Sequence, residues 1–519
     1  MTSVILDNNF GNNGLSIIDI SGVDEHCKKV LLDKEGNIIL GGYGGNYGEY
    51  FYILVKYDSN GVLDTNFGNN GIVKSNLNNL DNSRKEQHMS FDIDSNNNIV
   101  LVTSYYKDSN SSFDIILEKY NSNGVLDTTF GNNGIVTTDL IGGVNEFAKS
   151  IILDSSDNIL IGGYAQINNA DFLIVKYNNN GVLDDLFGSN GVVTSDIVSV
   201  DQATCFAIDS SNNIIMAGHT NNGFFSDQDL VIAKYNHNGE LDLSFGSNGK
   251  TTIDFSTIDS NINDLLIDSN NNIIVGGYSV TSSNKSIFSL AKLNSNGELD
   301  ANFGTNGLVS KTIRDENKIN SIVLDKNNKI IIAGEIKSTN GNYDIVLLRY
   351  DNNGVLDTTF GSNGYIFTDI NNKDDLASSI VLDSNNRIIV AGNTVNETID
   401  FVLLRYITAD ESSESNNNEI NTFVTNIMPV KGQFSQNGGG FSLMRRIFQN
   451  TPKNNHENHK RAKNSLYQDN SLYLIKRKSK AIGKEMYNSN ISFNGTPTND
   501  MKNALKRMRS SGTIPPQKH

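Results

Sequence analysis

The sequence contains no tryptophan, five prolines and two cysteines among its 519 residues. Cys27 and Cys205 stand far apart and lack Cys-x-x-Cys or Cys/His spacing, which argues against a disulfide framework and a cysteine-based metal site. No window approaches the roughly 18 apolar residues of a membrane span, and the N-terminus lacks the basic and apolar regions of a signal peptide. We therefore expect reduced thiols, no membrane insertion and no secretion through a signal peptide.

Basic residues are outnumbered in most of the chain, but not at its end. Residues 407–519 hold 17 basic and 8 acidic residues, a net charge of +9, and because the whole chain carries −16, the first 406 residues carry −25. Such an acidic body should repel nucleic acid, whereas the basic tail could be drawn to a polyanion, to virion proteins or to the acidic body itself.

One motif, L-D-x-x-F-G-x-N-G, occurs seven times. Successive copies lie 57 to 63 residues apart, and this regularity indicates a stacked or ring-like repeat. The Phe-Gly pairs of the seven copies are Phe10-Gly11, Phe67-Gly68, Phe130-Gly131, Phe187-Gly188, Phe245-Gly246, Phe303-Gly304 and Phe360-Gly361.

Each repeat unit predicts four short strands, as in residues 134–140, 147–153, 158–164 and 171–177, which are rich in β-branched residues. Asx-rich segments between the second and third strands predict hairpin turns. The third strand ends in two small residues in six units, which indicates close approach of neighbouring backbones or sheets. The fourth ends in Lys/Arg-Tyr in six units, which we interpret as blade packing with the charged head at the rim.

The two ends of the repeat array complement each other. The chain begins with a motif at Leu6 to Gly11 before any complete unit, and the last unit stops at Tyr406 without one. A ring uses this arrangement to join its last blade to its first, whereas a linear array has no use for it. The sequence therefore predicts an all-β, seven-bladed β-propeller of four-stranded antiparallel blades over residues 1–406.

The string G-x-L-D-x-x-F-G-x-N-G, followed by strand, hairpin and a Lys/Arg-Tyr strand, resembles the delta-60 repeat family over residues 4–406. This resemblance implies a β-propeller and assigns no general activity.

The C-terminal tail is predicted to be separate from the ring. Residues 407–463 have the composition of a polar flexible linker, and residues 464–519 form a basic module with two short helical stripes. Residues 481–484 and 499–518 resemble a short C-terminal module attached to many proteins of giant DNA viruses, without the cysteine common in that module. The resemblance implies a viral protein in the virion or the cytoplasm of the infected cell, with the tail as a virion or assembly address.

No catalytic constellation is visible. The seven histidines never recur at one place in the unit, and no arrangement of nucleophile and base stands out. Strings such as residues 58–64 resemble the start of a calcium loop, but the run is short and its final Glu is missing, so we interpret them as Asx turns. We expect no cofactor, no metal and no enzymatic activity, although a catalytic residue in a ring need not repeat.

Variable loops on one face of the ring are the predicted recognition surface. Aromatic residues on variable loops over a rigid scaffold are a common way to bind a protein or glycan. The alternatives are a purely structural virion component and a hydrolase- or lyase-type propeller enzyme. For each aromatic residue, covering the end of its own blade is an equal alternative. The candidate partner-binding residues are Tyr43, Tyr47, Tyr105, Tyr106, Phe224, Phe225 and Tyr343.

Overall fold

The structure is a computed structural model and describes most of the first 408 residues. The chain separates into two compact units, residues 1–438 and 439–519, and the described residues belong to the first. The predicted linker, apart from residues 407–408 and 430–431, and the predicted helical stripes lie outside them. The described ranges are 4–45, 50–75, 85–107, 112–140, 142–167, 169–197, 201–221, 228–255, 259–314, 316–408 and 430–431.

These residues form strands and turns and contain no helix. No helix in the described part of the chain therefore has the length and apolarity needed to cross a membrane.

Seven four-stranded antiparallel blades make up the ring, and each is given from its innermost strand outward. Blade 1 has β3 (Glu25–Leu32), β4 (Ile38–Gly44), β5 (Phe51–Tyr57) and β6 (Ile72–Lys74). Blade 2 has β7 (Lys85–Ile93), β8 (Ile99–Lys107), β9 (Ser112–Tyr120) and β10 (Ile135–Thr138). Blade 3 has β11 (Glu146–Leu153), β12 (Ile159–Ala165), β13 (Asp171–Tyr177) and β14 (Val192–Ser195). Blade 4 has β15 (Asp201–Ile208), β16 (Ile214–Asn221), β17 (Gln228–Tyr235) and β18 (Lys250–Ile253).

The remaining blades follow the same order. Blade 5 has β19 (Asp259–Ile267), β20 (Ile273–Val280), β21 (Ser286–Leu293) and β22 (Leu308–Lys311). Blade 6 has β23 (Asn317–Leu324), β24 (Ile330–Lys337), β25 (Tyr343–Tyr350) and β26 (Tyr365–Thr368). Blade 7 has β27 (Asp375–Leu382), β28 (Ile388–Val395), β29 (Ile399–Thr408) and, from the start of the chain, β2 (Leu15–Asp19), while β1 (Val4–Leu6) and β30 (Val430–Lys431) add further pairing.

The innermost strands surround a central channel. Each contacts the next, in the order β3, β7, β11, β15, β19, β23 and β27, and β27 contacts β3. The ring is therefore closed with seven blades, and the predicted fold class is confirmed.

The N-terminal segment completes blade 7. Strand β2 pairs with β29 in the register Ile17 to Val402, and β1 extends the same edge in the register Leu6 to Tyr406. The last blade thus takes its outermost strand from the beginning of the chain, as the permuted motif predicts. This pairing leaves no unpaired edge at the junction of the two ends.

The boundaries of the blades differ from the predicted repeat unit. The first run of that unit, residues 134–140, pairs with the preceding blade, since Val136 of β10 lies opposite Leu117 of β9. The F-G-x-N-G turn returns the chain onto its own blade, with Asn133 and Gly134 at positive φ of 54° and 92°. Each motif therefore lies within a blade and connects its third strand to its outermost strand; it does not link two blades.

The two small residues of the second strand lie beside a β-bulge in the innermost strand. In blade 3 the bulge falls between Ala148 and Ser150. A Cβ on Gly163 would lie 1.9 Å from the carbonyl oxygen of Phe147, and a Cβ on Gly162 would lie 2.5 Å from the ring of Phe206 in the next blade. The close approach predicted from the small residues is confirmed, both within a blade and between blades.

The loops separate onto two faces because the strands alternate in direction. The repetitive face carries the hairpins between first and second strands, such as residues 33–37, and the turns and motifs after third strands, such as residues 58–71. The variable face carries the loops between second and third strands and the connections from blade to blade, such as residues 281–285 and 369–374.

Candidate ligand site at the mouth of the central channel

The seven motif phenylalanines fill the junctions between blades. None is more than 2% exposed. Phe10 lies beneath Gly61 of the next blade, where an added Cβ would come 2.6 Å from its ring, and the Gly68 N–H donates to the Asn123 carbonyl 2.7 Å away. In every repeat where these contacts are described, the motif therefore packs one blade against the next.

The Lys/Arg side chains near the end of each third strand are buried or half-buried, which corrects the prediction that their charged heads lie at the rim. Lys56 Nζ lies 2.9 Å from Asp33 Oδ2 of its own blade and 6.0 Å from the centre of the Phe67 ring. Lys292 and Arg405 are only 2% and 1% exposed. Carboxylates of the hairpins and motifs pair with these cations inside the ring. The position at the rim, which was expected from side-chain length alone, is therefore wrong.

The Asx strings form turns. The Asp58 carboxylate accepts hydrogen bonds from the backbone N–H groups of Asn60 and Val62, each at 2.9 Å. Asp154 in the hairpin of blade 3 accepts from Ser156 and Asn158 in the same way, also at 2.9 Å. These carboxylates stabilise backbone turns.

The predicted aromatic residues of the variable face lie in strands where the structure describes them, not in loops. Tyr43, Tyr105 and Tyr343 are 4%, 7% and 7% exposed, and Tyr106 is half-buried with its ring 5.3 Å from that of Phe113. The second and third strands run further toward this face than predicted, so these rings cover the ends of blades. Tyr47, Phe224 and Phe225 lie outside the described residues. A role of the seven residues in partner binding stays a prediction.

The innermost strands of six blades each leave one residue out of the strand register near the variable face, and that of blade 2 leaves out residues 86–88. In blades 4 to 7 these residues carry amides and hydroxyls, and we call them the polar half. Thr204 Oγ1 donates to the Ile262 carbonyl of the next blade at 2.9 Å, and Asn263 and Asn320 donate to the blades that follow them at 2.6 and 2.7 Å. The polar half consists of Thr204, Asn263, Asn320 and Ser378.

Blades 1 to 3 place Lys28, His88 and Lys149 at the corresponding irregularities. We call these three residues the basic half. Each is partly exposed although the surrounding strands are largely buried. The body of the ring is strongly acidic, so two lysines on one side of its axis create a locally basic region.

Aromatic rings surround the basic half. The rings of His26 and Tyr43 stack at 4.9 Å, with Lys28 Nζ 5.4 Å from the centre of the Tyr43 ring. Lys149 Nζ lies 5.8 and 5.6 Å from the ring centres of Phe147 and Tyr164, which are themselves 4.9 Å apart. The channel mouth is the set His26, Lys28, Tyr43, His88, Phe147, Lys149, Tyr164 and His219.

Three histidines of the channel mouth are held neutral. Burial, and then Lys28, lowers the pKa of His26 to about 3, and burial with Lys149 lowers the pKa of His219 to about 4. The pKa of His88 falls well below its usual value because of burial and the charges of Lys149, Lys28 and Lys29. Neutral imidazoles next to lysines hold further hydrogen-bonding capacity without adding charge.

Neither cysteine has the environment of a nucleophile. Both thiols are free, and burial raises the pKa of Cys27 to about 12 and raises that of Cys205 as well. Protonated thiols of this kind are inert, so the two cysteines offer no covalent chemistry near neutral pH.

Two clusters of carboxylates, each with two buried members, lie at the junctions of blades on the variable side and were not predicted from the sequence. Asp19, Glu25 and Asp400 each offer an oxygen within 4.8 Å of the others, as do Asp114, Asp139 and Glu146. Burial is the main cause that raises the pKa of Glu25, to about 7. A proton held on such a cluster relieves the repulsion among its carboxylates as a metal ion would. Acidic residues recur at similar spacing across the repeats, and this pattern in the sequence could have revealed the clusters.

Comparison with known proteins supports the repeat architecture. The family described as "Domain of unknown function (DUF5122) beta-propeller" matches residues 36–67, 95–130, 155–187, 210–245, 269–303 and 326–360. No curated protein matches the chain.

Several solved structures are similar in fold. A protein of unknown function from Dyadobacter fermentans is 6% identical with a TM-score of 0.42, covering 79% of this chain and 100% of its own. An ulvan lyase is 11% identical with a TM-score of 0.43, covering 77% and 100%. Sqt1 from Chaetomium thermophilum, bound to the N-terminus of a ribosomal protein, is 10% identical with a TM-score of 0.41, covering 76% and 99%. The chain is a repeat protein of the β-propeller fold.

Proposed function

We propose that this protein is a non-enzymatic binding scaffold that holds a protein or glycan ligand at the variable face, centred on the channel mouth. One observation carries the proposal. At positions where the repeat could place the same side chain seven times, blades 1 to 4 instead bring different lysine, histidine and aromatic side chains to the channel mouth. Departure from the repeat at one point of a rigid ring is typical of recognition.

The repetitive face is used for a different purpose. Its Asx turns bind their own backbone, and its motifs fill the junctions between blades. Residues occupied in this way are needed for folding in every blade and leave little to distinguish one ligand from another.

The basic tail is proposed to act separately, as an address that directs the ring to a virion or assembly. This role follows from the charge and motifs of residues 464–519. A purely structural virion component is the rival function and needs no ligand at the channel mouth.

The test is binding of the full chain to arrays of oligosaccharides and peptides, compared between two matched double variants. Lys149→Gln with His219→Asn alters the channel mouth. Val62→Ser with Val125→Ser alters the repetitive face, where these valines are 59% and 58% exposed. The proposal predicts that only the first pair loses binding while both keep the melting temperature of the wild type. Loss in the second pair alone would show that the opposite face binds.

A further inference from the structure

A cavity of about 280 Å³ lies between blades 3 and 4 on the repetitive face. The motif of blade 3 meets the turn after β17 of blade 4 there, because the Gly188 N–H donates to the Asn238 carbonyl at 2.8 Å. The lining combines apolar and polar side chains, which include Leu160, Phe187, Ile214, Asp154, Lys176 and His237.

At four other junctions, a lysine ammonium lies between the hairpin aspartate of its own blade and a backbone carbonyl of the next blade. Lys56 Nζ lies 2.9 Å from Asp33 Oδ2 and 3.4 Å from the Ser122 carbonyl oxygen. In blades 2, 4 and 5 the distances are 3.2, 3.5 and 4.0 Å to the aspartate and 3.4, 3.3 and 3.3 Å to the carbonyl, and the lysines are Lys119, Lys234 and Lys292. The repeat thus builds an ammonium site from one carboxylate and one carbonyl.

The lysine of blade 3 pairs differently. Lys176 Nζ lies 3.2 Å from Asp184 Oδ2 of the motif. Within the described part of the chain, it forms neither an ion pair with Asp154, the hairpin aspartate, nor a hydrogen bond to the His237 carbonyl. Asp154 is accordingly partly exposed. The corresponding aspartates are only 4% to 7% exposed; they are Asp33, Asp94, Asp209 and Asp268.

Two further departures from the repeat occur at this junction. His237 takes a place that serine or asparagine takes in the turns of blades 1, 2, 3, 5 and 6. Leu186 takes a place that asparagine, threonine or serine takes in the six other motifs, and it is 90% exposed. Both residues line the cavity. Departures that meet at one cavity of a rigid ring are typical of a binding site.

The charge and the apolar lining together define the ligand. Lys176 neutralises Asp184, so the Asp154 carboxylate leaves the lining with a net negative charge. A metal ion such as calcium needs about six to eight oxygen ligands, which a lining containing Leu160, Phe187 and several other apolar side chains does not favour. An alkylammonium ion, by contrast, matches both the carboxylate and the apolar side chains, as the lysines of the other blades do.

We propose that the cavity between blades 3 and 4 binds a small primary alkylamine. Its ammonium group takes the position that a lysine ammonium has at the other junctions, between Asp154 and the His237 carbonyl. The alkyl chain contacts the apolar lining, and no bond is made or broken in the ligand. This site is separate from the channel mouth and does not depend on the proposed function.

Isothermal titration of the full chain with butylamine at low ionic strength tests the proposal. Butylamine has the four-carbon chain of a lysine stem and should bind at one site, whereas 1-butanol, which lacks the charge, should bind about tenfold more weakly or worse. Asp154→Asn should weaken butylamine binding about tenfold, while its amide oxygen keeps the hairpin turn. Asp58→Asn is the matched control, because asparagine already occupies this place in the turns of blades 2 to 5; affinity should change less than about twofold.

Two double variants of equal net charge separate the assigned carboxylate from a general effect of charge. Asp184→Asn alone should weaken binding about tenfold, because Lys176 is then free to pair with Asp154 itself. Adding Lys176→Met should restore the affinity to within about twofold of the wild type. Asp154→Asn with Lys176→Met should stay about tenfold weaker. Equal affinities of the two double variants, each checked for an unchanged melting temperature, would overturn Asp154 as the partner of the ammonium group.

A lysine derivative distinguishes a free amine from a protein side chain. Nα-acetyl-lysine amide carries the same ammonium group next to a peptide backbone. Butylamine that binds at least as tightly as this derivative would support a free amine, and binding of the derivative alone would overturn it. Absence of binding to both would overturn the site and leave the proposed function at the channel mouth unaffected.

Discussion

The guanidinium of Arg405, in the last strand of the ring, holds the carboxylate of Asp7 near the start of the chain. Nη2 and Nε lie 2.6 and 2.8 Å from Oδ2, and both side chains are less than 5% exposed. The same guanidinium lies 4.5 Å from the centre of the Phe10 ring and donates to the Ser59 carbonyl of blade 1. One side chain thus connects the two ends of the repeat array to the first blade.

Asp7→Ala should destabilise the ring strongly because it leaves Arg405 buried without its carboxylate. Removing one partner of a buried ion pair costs about 3–5 kcal/mol. The free energy of unfolding from urea titration measures this loss. Asp184→Ala is the matched control, because Asp184 is 30% exposed and lies 3.2 Å from Lys176; there the loss should be below about 1 kcal/mol.

Deleting residues 1–13 should lower the melting temperature and broaden the transition, since it removes Phe10 and the pairing of β1. Equal stability of the two aspartate variants, or a deletion without effect on melting, would contradict closure by the N-terminal segment.

The contribution of Asp375 to the stability of the ring should fall as the pH rises from about 5.5 to 8.5. Burial, opposed by hydrogen bonds from Thr394 and Ile370, raises the pKa of Asp375 to about 8. The unfolded carboxyl has a pKa of about 4. Between these values the folded protein holds a proton that the unfolded chain has released, so raising the pH favours unfolding.

Asp375→Asn should reduce this slope and stabilise the protein at about pH 8.5. Asn317 occupies the matching place in blade 6, where its amide donates to the Ser286 and Arg314 carbonyls at 2.8 and 2.6 Å. The reciprocal change Asn317→Asp should therefore steepen the slope. Urea midpoints at the two pH values measure both effects, and an unchanged slope in both variants would refute the protonated carboxyl.

Calcium should neither bind saturably nor raise the melting temperature. If calcium binds, we expect it at the cluster of Asp19, Glu25 and Asp400. The Glu25 oxygens accept hydrogen bonds from Ser21 Oγ at 2.7 Å and the Ile20 N–H at 3.3 Å, which leaves little room for a metal. Stoichiometric heat on titration with calcium chloride, abolished in Glu25→Gln, would establish a metal site instead.

Removal of residues 409–519 should leave the melting temperature of the ring within about 2 °C of the full chain, since strand β29 ends at Thr408 and, of the described residues removed, only Val430 and Lys431 pair with the ring. The truncated protein should no longer enter virions. Normal packaging would contradict the address, and loss of cooperative unfolding would contradict separability of the tail.

The sequence predicted the number of blades because the motif repeats at a nearly constant distance, and it predicted the closure of the ring because the array begins with a motif that its last unit lacks. It placed the blade boundaries wrongly, since a period alone does not tell which blade a strand such as β10 joins. It also placed the Lys/Arg heads at the rim, because the carboxylates that bury Lys56 and Arg405 lie in other parts of the repeat.

The channel mouth escaped the sequence analysis for a related reason. Lys28, His88 and Lys149 look like unrelated surface residues until the bulges place them at one level of the axis. Aligning the units on the two small residues of the second strand would have revealed that this position varies while its neighbours repeat. Exposure of the aromatic candidates was harder to predict, because it depends on how far each strand extends.

Side-chain nitrogen NMR of the histidines tests the central claim most directly. His26, His88 and His219 lie in the channel mouth, whereas His237 is exposed on the repetitive face. On addition of an oligosaccharide or peptide that the full chain binds, the imidazole signals of His88 and His219 should shift and that of His237 should not, with assignments from single His→Asn variants. A shift of His237 with unchanged signals from His88 and His219 would place the ligand on the opposite face and contradict the account.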